Sequence, residues 1–213
     1  MTKVWDGFIR GFHWLLVIAI AALYISGEEG WLDVHFVVGF TLLALMLTRL
    51  IWGVIGSDTA KLTALLHSPK AALSAIRKSE STVGHNPAGS YMVLVFFVLI
   101  IVQLLTGLMS TDDILIEGPL VAYVPYSWSE LASEFHHDNF DILLIAIALH
   151  IVAITVYRMK GKNLAKTLIT GKDQDATHAP VMRSGKWAYL IFIGLTVLIL
   201  STWGIQPLTA LFG

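Results

Sequence analysis

Five apolar stretches of bilayer-crossing length dominate this chain, at about residues 8 to 26, 34 to 55, 90 to 109, 136 to 157 and 187 to 205. A helix needs about 20 apolar residues to cross a hydrocarbon core of about 30 Å, and in lipid its backbone amides must be satisfied within the segment itself. The pattern therefore predicts an all-α, polytopic membrane protein forming one integral membrane domain over residues 1 to 213. With 56% hydrophobic and 14% charged residues, the chain is too apolar for a soluble domain of its length. The first stretch has the basic-then-apolar outline of a signal peptide, but Arg10 and His13 interrupt the apolar core that such a signal needs. It reads as a permanent span.

Charge sets the expected orientation. All 14 Lys and Arg residues, from Lys3 and Arg10 through Arg49, Arg77 and Lys78 to Arg183 and Lys186, fall on one side of a five-span arrangement. The opposite loops, around residues 27 to 33 and 110 to 135, carry Glu28, Glu29, Asp33, Asp112, Asp113, Glu117, Glu130 and Glu134 without a basic residue. The positive-inside rule then predicts a multi-pass membrane protein with its N-terminus cytoplasmic and its C-terminus external. The formal net charge of -1 and the lack of a long basic run give no sign of nucleic-acid binding. Between spans two and three, residues 58 to 78 place leucines among Lys and Arg, which predicts interfacial helical structure interrupted at Pro69. The acidic 110 to 135 segment reads as a long external loop, either a docking surface or a lid.

Four of the eight histidines, His13, His35, His136 and His150, lie in or at the edges of the spans. An imidazole in hydrocarbon is costly unless bonded, so such residues are functional candidates. His136 and His150 are 14 residues apart, just under four helical turns, which returns both to one face about 21 Å apart. His137 is the rival for the first position, but it lies about 140° around the helix from His150, against about 40° for His136. In the five-span topology His35 and His136 fall at the external side, and His13 and His150 toward the cytoplasm. Two pairs at two depths result. The chain has no cysteine, which excludes covalently attached c-type haem, cysteine-held iron-sulfur clusters and cysteine zinc sites. Two haem b groups, each with iron held by two histidines, fit the supply of ligands. His67, His85 and His178, in the loops, read as solvated.

RGFHW at 10 to 14, HFVVGF at 35 to 40, RLIWGVIG at 49 to 56, HNPAG at 85 to 89, HHDNFDILLIAIALH at 136 to 150 and GKNLAKTLITG at 161 to 171 resemble the bacterial cytochrome b561 family. That family includes the cytochrome b subunits of nickel-iron hydrogenases. The resemblance spans most of residues 5 to 171 and implies two b haems in a four-helix transmembrane bundle, with ligands at the positions of His13, His35, His136 and His150. The fifth span departs from the common four-span pattern. Arg10, one turn before His13, is a candidate partner for haem propionates as well as a basic anchor. Gly39, one turn after His35, would let a porphyrin approach the backbone, or serve close helix packing. The outer haem has no cation on its side, so its propionates would have to use neutral donors such as Ser110, Thr111, Tyr126 or backbone N–H, stay partly protonated, or meet cations of a partner protein.

The expected function is transmembrane electron transfer between the quinone pool and a periplasmic redox partner such as a cytochrome c or hydrogenase, as the cytochrome b subunit of a quinone-linked oxidoreductase. A quinone or quinol site is expected near the inner haem, around HNPAG. A stand-alone quinone-linked superoxide oxidase and a histidine-based proton or metal transporter are the competing readings, and a homodimer is left open.

Overall fold

The computed structural model describes residues 1–77, 83–114, 116–174 and 176–212; Lys78, at the end of the expected interfacial segment, lies outside them. The described residues are predominantly helical, with one small antiparallel ribbon. Its helices are α1 (Gly7–Glu28), α2 (Leu32–Ile55), α3 (Pro69–Arg77), α4 (Pro87–Met109), α5 (Tyr126–Met159), α6 (Leu164–Thr170), α7 (Lys186–Thr202) and α8 (Ile205–Phe212), and the ribbon pairs β1 (Thr2–Lys3) with β2 (Lys172–Asp173). Among the described residues, α1, α2, α4 and α5 are each long and apolar enough to cross a membrane, and α7 with α8 makes a fifth candidate. The protein is thus an all-α polytopic membrane protein.

Two compact units form, one from Met1–Ala88 with Ala165–Gly213 and one from Gly89–Leu164. In the first, α1 and α2 make an antiparallel hairpin through a Schellman turn. Gly30 has φ of 69°, the Trp31 N–H donates to Ser26 O at 2.8 Å, and the Gly30 N–H donates to Gly27 O at 3.3 Å. This left-handed position suits glycine, and it brings the chain into α2 with His35 in the first turn. α7 packs along α2. Phe8 meets Tyr189 edge-on at 5.5 Å, Phe40 meets Trp203 at 6.1 Å, and the Tyr189 hydroxyl donates to Gly7 O at 3.1 Å. The segment after α2 makes two 3₁₀ turns, Asp58–Ala60 and Leu62–Leu65, before α3 starts at Pro69. Proline opens this helix instead of interrupting one, because the first helical position needs no N–H partner.

In the second unit α4 and α5 run antiparallel, and the loop between them is pinned by a bridge from Thr111 to Glu117 and by the Ser133 hydroxyl, which donates to Thr111 O at 3.0 Å. α5 starts ten residues earlier than the apolar stretch, so 126 to 135 is helix and not loop. Its 34 residues reach about 51 Å at 1.5 Å each, well beyond a hydrocarbon core. Pro125 opens it, and Ser129 and Ala132 are buried in its first turns. The expected fifth span also differs. α7 stops at Thr202 after 17 residues, and α8 departs at 85° across Trp203 and Gly204. Pro207 in the first turn of α8 has no N–H to extend a straight helix through this point.

Candidate functional site

The two histidines at the acidic ends of the hairpins are held in the same way. His35 on α2 places Nδ1 3.1 Å from Leu23 O and 3.3 Å from Ser26 Oγ, both on α1. His136 on α5 places Nδ1 3.0 Å from Gln103 O and 3.2 Å from Thr106 Oγ1, both on α4. A carbonyl only accepts, so each Nδ1 carries the proton and each lone pair is on Nε2. The hydroxyls turn their own protons to helix carbonyls, Ser26 to Leu23 O at 3.2 Å and Thr106 to Val102 O at 2.8 Å. Lone pairs therefore face both imidazoles. In each hairpin the carbonyl and hydroxyl come from residues three apart, followed by a glycine, Gly27 or Gly107, beside the ring. The same spacing continues along the second helix of each hairpin: 14 residues after His136 stands His150, and 14 after His35 stands Arg49.

At the basic end of the first unit, His13 lies half-buried on α1 with its ring edge-on to Trp14 at 5.1 Å. The start of α1 is set by Asp6, 1% exposed, which accepts from the Ile9 N–H at 2.9 Å and from the Trp52 indole at 3.0 Å. Arg49, 3% exposed, donates to Ala60 O at 3.0 Å and lies 5.9 Å over the Phe12 ring. These buried polar contacts lock the helix carrying His13 against α2, and Asp6 is the residue that sequence reading missed. Its signal was an aspartate one residue before an apolar helix. Arg10 passes beside Gly171, and its Nε is buried without a hydrogen-bond partner. In the second unit His150 is half-buried on α5, edge-on to Phe96 at 5.5 Å.

His136 is half-buried and turned to α4, while its neighbour His137 is exposed. A Cβ at Gly39 would meet Leu23 Cδ2 at 3.9 Å and nothing nearer, so close helix packing does not require glycine there. Ser110 and Tyr126, expected as donors to a haem edge, spend their hydroxyl protons locally, on Thr106 O at 2.8 Å and Asp113 Oδ2 at 3.2 Å. His85, expected to be solvated, is half-buried, with its ring 4.7 Å from that of Trp5. HNPAG thus contains a packed histidine and the start of α4 at Pro87.

A b haem that serves only as an electron relay would need two histidine nitrogens from its protein. Iron-binding histidines characteristically donate their second ring nitrogen to a carbonyl, which fixes tautomer and ring plane. His35 and His136 meet that requirement, and the orphaned Arg10 Nε is suited to a carboxylate such as a haem propionate. The residues present fit the group. These features define a polytopic membrane cytochrome of the b type. The chain belongs to the prokaryotic cytochrome b561 family, whose family model matches residues 4–171. Membership implies haem b binding and transmembrane electron transfer. α7 and α8 lie beyond the matched region. No curated protein and no solved structure matches the chain.

Proposed function

We propose that the protein carries electrons across the bacterial inner membrane, between the quinone pool and a periplasmic redox partner such as a cytochrome c or hydrogenase, as the cytochrome b subunit of a quinone-linked oxidoreductase. His13 with His150 and His35 with His136 would hold the two haems, the first pair toward the cytoplasm and the second toward the periplasm. The observation that carries this reading is the matched presentation of His35 and His136, each with Nδ1 committed to a helix carbonyl. When bound, haem b supplies a one-electron iron couple at each pair. The Leu23 carbonyl and Ser26 hydroxyl orient the His35 ring, and the Gln103 carbonyl and Thr106 hydroxyl orient that of His136. Asp6 and Trp52 fasten the helix that carries His13, and Arg10 would meet a propionate. Holding each iron between two histidines would leave no open position for oxygen, which favours electron relay.

A reduced-minus-oxidised spectrum with haem quantitation tests the assignment. Two b haems per chain are expected, reducible by quinol in proteoliposomes with delivery of electrons to an acceptor on the far side. One haem or none would reject the paired-ligand arrangement. Rapid turnover of superoxide without any protein partner would favour the stand-alone enzyme.

A further inference from the structure

The two histidine-holding hairpins differ at one position. Where the first hairpin has Leu23, the second has Gln103, and its side chain builds a clamp that the first hairpin lacks. Gln103 Nε2 donates to the backbone carbonyl of His136 at 2.8 Å. Gln103 Oε1 accepts from Asn139 Nδ2 at 2.6 Å, and the same Nδ2 donates to Leu99 O at 2.9 Å. Asn139 is buried and lies three residues after His136, on the same face of α5. The main chain of Gln103 meanwhile receives the His136 Nδ1–H at 3.0 Å. One glutamine thus grips the ligand residue at both its ring and its backbone, and is itself held by the next polar side chain along the helix. In an apolar surrounding a closed network of this kind is stiff, because opening any member strands a polar group.

We propose that Gln103, with Asn139, is the positioning residue of the His136 site: it holds the imidazole plane and the alignment of Nδ1–H to carbonyl, and so lowers the reduction potential of that iron centre alone. A strong Nδ1–H to carbonyl bond makes the ligating imidazole more basic and favours the ferric state. The proposal rests on haem ligation by His136.

The test uses the haem-loaded protein in detergent, titrated potentiometrically and examined by electron paramagnetic resonance, with the His136 component assigned as the one absent from His136→Ala. Gln103→Met should raise the potential of that component and move its low-spin signal, leaving the other haem where it was. Asn139→Leu should act in the same direction with smaller size, and keeps the test open if Gln103→Met does not fold. Leu23→Met, at the matching position of the first hairpin, should move neither. A lower melting temperature with both potentials and both signals unchanged would overturn the role of Gln103 while leaving the haem assignment standing. A wild-type protein without bound haem would overturn both.

Discussion

Gly107 stands against the imidazole of His136 so closely that a Cβ at residue 107 would lie 2.8 Å from Cε1 and 3.2 Å from Nδ1 of the ring. Alanine there must displace the ring or part the helices. Gly107→Ala gains about 1 kcal/mol of helix propensity, so a general loss of fold is not the expected outcome. The expected outcome is selective: loss of the haem served by His136, with total haem falling from two per chain toward one in a pyridine haemochrome assay. Gly27→Ala should be milder, since its Cβ would meet the His35 ring at an ordinary 3.6 Å.

His136 and His137 are neighbours with different surroundings, one turned to α4 and the other exposed. His136→Ala should remove one haem, whereas His137→Ala should retain both, as read by haem content and by the amplitude of the reduced-minus-oxidised band. Loss of a haem in His137→Ala alone would reverse the ligand choice.

Asp6 joins the start of α1 to Trp52 on α2. Asp6→Ala removes a helix cap and leaves the buried indole N–H without its acceptor, a combined loss of about 2–4 kcal/mol. Thermal unfolding in detergent should show this, and Asp6→Asn should lose less because the amide oxygen can still cap. In a double-mutant cycle, Trp52→Phe should cost less in the Asp6→Ala background than in the wild type.

Acid should loosen one loop before the helices. Asp58 accepts from Lys61 Nζ at 2.8 Å and from the Val181 N–H at 3.0 Å, and these bonds hold its carboxyl below the ordinary aspartate value. A depressed folded-state pKa contributes stability that is present above the unfolded pKa and lost as pH falls through the folded one. The carboxylate part of the tether between residues 58 and 181 should therefore be intact at neutral pH and lost only below the ordinary aspartate range, while the Asp58 N–H to Val181 O bond at 3.0 Å does not titrate. Proteolysis of the segment before Lys186, followed against pH, should accelerate on acidification, and Asp58→Ala should show the fast rate already at neutral pH.

Residues outside the apolar stretches were the hardest to place from sequence. Tyr126 to Phe135 carry enough polar groups to read as loop, yet they begin α5, because hydropathy marks where lipid is required and not where a helix must start. His85 reads as solvated from its loop position and packs on Trp5, a residue 80 positions away. The break at Trp203 and Gly204 was equally hidden, since both sides of it are apolar and the 85° turn leaves the hydropathy unchanged.

What sequence alone determined were quantities set along one dimension: apolar lengths against bilayer thickness, and the placement of His136 and His150 on one face through helical period. Tertiary structure decided which atoms those histidines meet. That Leu23 O and Gln103 O receive the Nδ1 protons depends on the register of two helices across a hairpin, and Gln103 gains its clamp only because Asn139 arrives opposite it. Such pairings follow from packing between segments, which no period within a single segment can encode.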